Sequence, residues 1–61
     1  MKHPTPEKIK RVRESVELTQ SECADLLYVD LRTWQKWEGD ERKMHPAFWE
    51  LFQIKISDIK K

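Results

Sequence analysis

Along this chain the apolar residues recur at helical spacing, in four short runs separated by polar punctuation. In the first run, Ile9, Val12 and Val16 repeat at intervals of three and four, which leaves Lys8, Lys10, Arg11 and Arg13 largely outside. Thr5 is placed to cap this helix, Pro6 fits its first position, and Glu7 favours the positive end of the dipole. Leu18 is expected to seal the exit. The second run, "TQSECADLLY", opens with Thr19 and Glu22 at the spacing of a capping box, and Cys23, Ala24, Leu26 and Leu27 form its apolar face. The third run, "LRTWQKWEG", follows a fresh cap at Asp30. It buries Trp34 and Trp37, three apart on one face, and Gly39 stands where a C-cap is expected. The fourth begins at Pro46. It carries a stripe of Phe48, Leu51, Phe52 and Ile56, with Trp49, Ile59 and Met44 at its edges.

The pattern predicts an all-α fold: a compact domain of four to five helices filling residues 1–61, with helices over about 6–16, 20–27, 31–38 and 46–58. No two consecutive segments alternate as strands do, and no repeat or long linker marks a second unit. Residues 1–4 and 60–61 have little to hold them. The second and third helices are short and lie about three residues apart. That rules out an extended antiparallel hairpin and predicts an angular pair, the arrangement that offers a helix to a major groove.

Composition narrows the function. A chain of 61 residues has a small core and marginal stability, which disulfides, a metal or a partner subunit usually reinforce. With one cysteine and two histidines there is no internal disulfide and no recognised metal-ligand spacing, so no metal or cofactor is expected. Cys23 reads as a small buried hydrophobe, and His45 as a loop or cap residue. No apolar run reaches the length of a membrane span, and a soluble, cytoplasmic protein with no membrane partner and no small-molecule substrate is expected. The absence of a glycine-rich phosphate cradle and of room for a pocket argues against an enzyme. The net charge is only +1, but it is unevenly spread. Residues 1–16 hold five bases against two acids, residues 17–31 four acids and no base, and residues 32–43 four bases against three acids.

The stretch "LTQSECADLLYVDLRTWQKWEGDERKM" resembles the helix-turn-helix of lambda-repressor and Cro-type regulators. The matching features are Thr19-Gln20 opening the second helix, Ala24 in its middle, Leu26-Leu27 near its end, Val29 in the turn, and Trp37-Glu38-Gly39 closing the third helix. "IKRVRESVELTQ" is similar to the family's first helix, and "RKMHPAFWELF" to the loop and fourth helix of a small phage-type branch. Two positions depart from the family. Tyr28 stands where glycine is frequent, which would cost about 1 kcal/mol in a left-handed backbone and suggests a rearranged turn. Asp30 stands where serine or threonine is common.

The resemblance implies a sequence-specific regulator of transcription, a repressor by type, that binds a palindromic operator in double-stranded DNA as a homodimer. Its base-reading set would be Asp30, Leu31, Arg32, Gln35 and Lys36, and its phosphate set Gln20, Thr33, Arg42 and Lys43, with Lys36 also suited to phosphate. Gln20 would in addition brace the third helix. Ala24, Val29, Trp34 and Trp37 would anchor the scaffold. Chemistry agrees with these roles. Arginine pairs with guanine O6 and N7, glutamine with adenine N6 and N7, aspartate accepts from cytosine N4, and leucine can touch a thymine methyl. The spread of apolar residues around the fourth helix points to a dimer face made by Trp49, Ile56 and Ile59. The alternative is a protein-interaction module on the same fold, antitoxin-like or a phage accessory protein.

Overall fold

In a computed structural model, residues 3–59 of the chain are described; they form four helices and no strand. The helices are α1 (Pro6–Ser15), α2 (Gln20–Leu26), α3 (Leu31–Glu38) and α4 (Pro46–Ile59). The expected segments are all present, with ends displaced by a residue or so. Met1, Lys2, Lys60 and Lys61 lie outside the described residues. The expectation that nothing holds the N-terminal segment fails at Pro4, which is buried.

Each of the first three helices starts on a side-chain cap. Thr5 Oγ1 accepts from Lys8 N–H at 3.2 Å. At α2 the capping box closes in both directions, with Glu22 N–H to Thr19 Oγ1 at 3.1 Å and Thr19 N–H to Glu22 Oε1 at 2.8 Å. Asp30 Oδ1 accepts Thr33 N–H at 3.1 Å and also the Thr33 hydroxyl. At α4, His45 takes the capping role, its Nδ1 accepting from Ala47 N–H at 3.0 Å.

The helix ends share one device. Glu17 (φ 58°), Tyr28 (φ 59°) and Asp40 (φ 63°) are all left-handed, each one residue past the C-cap. Leu18 N–H then reaches Arg13 O, Val29 N–H reaches Ala24 O, and Glu41 N–H reaches Lys36 O, the long bond of a Schellman motif. The turn at Tyr28 is therefore not rearranged; it keeps the left-handed geometry with tyrosine in place. Gly39 caps α3 at φ −92°, so Asp40 carries the left-handed conformation there. Gly39 is favoured for closeness instead: a Cβ would come within 3.2 Å of Gln35 O.

The core is Ile9, Cys23, Ala24, Leu27, Trp34, Trp37, Met44, Phe52 and Ile56. Helix α3 packs against α2 and α1, and α4 lies against α2. Trp34 stands at the centre, its ring 5.8 Å edge-on from Trp37 and 5.0 Å from Phe52. Met44, expected at an edge, is fully buried. Ile56 is 8% exposed and belongs to the core stripe, which removes it from the expected dimer face. The large apolar residues of α4 that do face solvent are Phe48, Ile54 and Ile59, while Trp49 is half-buried. No helix among the described residues is long and apolar enough to cross a membrane.

Candidate nucleic-acid interface

Helix α3 is pinned on one side and open on the other. Trp34 and Trp37 bury its inner face at 0% and 4% exposure, while Leu31, at the leading end beside that face, remains 41% exposed. Arg32 and Gln35 are exposed and Lys36 is half-buried. With Glu41 they line one depression of about 290 Å³ on the outer side of the helix. The structure thus brings Arg32, Gln35 and Lys36 together and sets Asp30 and Leu31 at the leading end of the same helix. Arg42 and Lys43 are exposed in the loop that follows, where Arg42 N–H returns to Lys36 O at 3.2 Å. Glu41 has no counterpart among the residues the pattern singled out, and nothing in its sequence position distinguishes it from an ordinary loop acid.

Beneath this surface lies a polar centre that the periodicity conceals. Glu38 Oε2 accepts Arg13 Nε–H at 2.6 Å and the Trp34 indole N–H, and Glu38 Oε1 accepts from Arg13 Nη2 and from Gln20 Nε2, both at 3.3 Å. Arg13 Nη1 also donates to Leu18 O at 3.0 Å. One carboxylate on α3 therefore holds α1 through arginine and α2 through glutamine. Arg13, expected on the solvent face, is turned inward: its side chain is 15% exposed and that of Glu38 is 6%. Burial pushes the Glu38 carboxyl up, but the donors from Arg13 and Trp34, the arginine charge and Gln20 together hold it below the ordinary glutamate value. Among the described residues no buried side-chain polar atom lacks a partner.

Gln20 sits where this centre meets the surface. Its Nε2 faces Glu38, and its Oε1 accepts from Gln35 Nε2 at 3.5 Å. The bracing of α3 expected of Gln20 is in place. Thr33 gives both its N–H and its hydroxyl to Asp30 and so takes part in the cap of α3. Those two bonds, the hydroxyl first, hold the Asp30 carboxyl below the usual aspartate range. Of the expected anchors, Ala24, Trp34 and Trp37 are buried and Val29 is half-buried. Cys23 is wholly enclosed, and burial raises its thiol to about 12 against the opposing pull of Arg13. Among the described residues no group of histidine, cysteine and acidic side chains is placed to hold a metal ion.

No family model matches the chain. Over 53 residues, or 87% of its length, it is 38% identical to the type II methyltransferase M.MspI of a Moraxella species. The match spans 13% of that protein's length.

Proposed function

We propose that this domain reads double-stranded DNA with α3 in the major groove, in the manner of the repressor-like regulators its sequence resembles. The observation that carries this reading is the outer side of α3. Arg32, Gln35 and Lys36 gather on one open surface of a helix whose other side is fixed by two buried tryptophans and by Glu38. Such a helix can present side chains to base edges with little loss of conformational freedom. In this reading Arg32 pairs with guanine, Gln35 with adenine, Leu31 touches a thymine methyl, and Asp30 accepts from cytosine N4 through the oxygen not used for capping. Lys36, Arg42, Lys43 and the outward side of Gln20 position the phosphates, contributing affinity more than sequence choice. Operator binding as a dimer would make the domain a transcriptional repressor.

The likeness to a segment of a type II methyltransferase supports a module that also exists inside a larger protein. The shared stretch is 13% of that protein, and methyl transfer is not carried over with it. Selection from a library of random duplexes at low and moderate salt tests the proposal. A family of related sites is expected; the absence of any enrichment overturns it. Replacing Arg32 by alanine should then relax one base pair of the site, a discrimination of about 1–3 kcal/mol.

Exposed Ile54 and Ile59 favour a second reading, a protein-interaction module on the same scaffold. There Arg32→Ala and Gln35→Ala leave partner binding intact and Ile54→Asp abolishes it. Pull-down with each variant, run beside the DNA selection, separates the two.

A further inference from the structure

An ionised carboxylate can only accept, and this gives direction to the side chains bonded to it. Glu38 accepts from Gln20 Nε2, so the amide of Gln20 must turn its oxygen the other way, toward Gln35. That oxygen accepts one N–H of Gln35, at 3.5 Å. What remains of the Gln35 amide, its oxygen and its second N–H, is then the part offered to solvent beside Arg32 and Lys36. We propose that Glu38 is a positioning residue for base choice: through Gln20 it fixes which way the Gln35 amide faces, and so selects adenine. The inference rests on the DNA-reading function proposed above. It adds that a carboxylate under the helix, touching no nucleic acid, sets the specificity of one position.

The chemistry matches on both sides. Adenine presents an acceptor, N7, and a donor, the N6 amino group, in the major groove; an outward oxygen with an outward N–H meets both. A reversed Gln20 would give Gln35 an N–H to accept, turn the Gln35 oxygen inward and leave only donors outside, which suit guanine O6 and N7 instead. The reversal is blocked because it would set the Gln20 oxygen against the Glu38 carboxylate. Everything else around Glu38 enforces the same state. Arg13 supplies two donors and Trp34 a third, so no lone pair of Glu38 can be exchanged for a proton without loss.

Glu38→Gln keeps the shape and introduces one N–H₂. Its nitrogen is expected on the side of Oε1, where Arg13 and Gln20 stand back at 3.3 Å, and not beside the close donors on Oε2. There it donates to a reversed Gln20, and the Gln35 amide turns with it. The test is duplex selection with the full chain and four variants, each checked for a cooperative thermal transition. Wild type should enrich an A·T pair at one position, and Gln35→Ala should remove that preference. Glu38→Gln should reduce it on the order of ten-fold at that position alone. Gln20→Leu breaks the relay and leaves Arg13 on Glu38. It should weaken all sites about equally through the lost phosphate contact and, beyond that, give the same loss of adenine preference at that one position where Glu38→Gln folds poorly. Val12→Ala lowers stability through packing and should leave the preference unchanged.

An adenine preference that survives both Glu38→Gln and Gln20→Leu overturns the relay. So does a Val12→Ala profile altered in the same way as Glu38→Gln, or a wild-type site with no adenine that depends on Gln35. In each of these cases DNA reading itself stands. A wild type that enriches no duplex overturns the DNA reading.

Discussion

At the scale of a residue, Glu38 ties the domain's stability to pH. Its carboxyl titrates lower in the folded chain than in the unfolded one, because Arg13, Trp34 and Gln20 favour the ionised form more than burial disfavours it. The unfolded state therefore binds the proton first on acidification. The stabilisation is complete above the ordinary glutamate value and is lost as pH falls through that value toward the depressed one. Urea midpoints measured down the acid range should fall steeply for wild type and less steeply for Glu38→Gln; parallel profiles would count against this. Cys23 acts at the other end. Its thiol is held up to about 12, so the folded state resists ionisation and stability is lost as pH rises from the ordinary thiol range toward that value. Arg13→Ala strands the carboxylate in a largely enclosed site, and should lower stability by about 3 kcal/mol at neutral pH, far more than an exposed pair would. Denaturant unfolding reads this directly, and a loss under about 1 kcal/mol would place the pair with surface ion pairs.

At the scale of an element, the left-handed residues at the helix ends are a reserve of stability that the chain has left unused. Glu17 is exposed and sits at φ 58°, where glycine avoids a steric penalty of about 1–2 kcal/mol. Glu17→Gly should raise stability by about 1 kcal/mol. Asp40→Gly should gain less, since aspartate tolerates this region. Tyr28→Gly should gain less as well, because Lys55 Nζ lies 4.8 Å from the tyrosine ring centre and donates to its hydroxyl at 3.2 Å, contacts that glycine forfeits. Urea melts of the three variants rank them. Asp30 gives the corresponding test at a helix start. Asp30→Asn keeps the cap, so stability should hold within a few tenths of a kcal/mol, while the amide nitrogen that replaces the outward oxygen should remove the cytosine preference at one position of the site.

The helices were legible in the chain because caps and periodicity are local. Thr5, the Thr19–Glu22 box and Asp30 announce their own starts. The inward turn of Arg13 was not, because its partner Glu38 is 25 positions away and the periodicity of α1 places arginine outside. The one signal was an acid one turn after Trp34 in an otherwise apolar seam. Ile56 shows the same limit, since an apolar residue on a wide stripe can fall to either side of the edge until α2 is packed against it. The open face of α3 was legible, because Trp34 and Trp37 fix the inside and leave Arg32 and Gln35 no other place. The bonding of Thr33 to Asp30 was not, as a cap and a phosphate donor share one residue type.

At the scale of the whole molecule, a net charge of +1 means that nonspecific attraction to DNA is weak and specific contacts must dominate. If Lys36, Arg42 and Lys43 are the phosphate-neutralising cations, log Kobs against log salt should have a slope of about −3 per domain, reduced by about one unit when any of the three is replaced by alanine. A domain measuring 31 × 24 × 20 Å with one eight-residue helix to insert covers few base pairs, so a unique operator calls for two copies. The surface available for pairing is the outer side of α4. Ile54 at 59% exposure lies there, while Ile59 at 49% continues the buried stripe of Phe52 and Ile56 past the core, Trp49 is half-buried, and Ile56 is withdrawn into the core. Apolar side chains this exposed on so small a protein are a fitting association surface. A symmetric pair that reads a palindrome on one face of the duplex would hold its two α3 helices about one helical turn of DNA apart, on the order of 34 Å, over half-sites separated by about 10 base pairs. Sedimentation equilibrium at micromolar protein should give a dimer mass, and Ile54→Asp should return the monomer with helix content unchanged. The same substitution should weaken binding to a palindrome much more than binding to an isolated half-site. A monomer mass throughout, with half-site and palindrome bound equally tightly by wild type, would show that each domain acts alone and that the apolar face of α4 serves another partner.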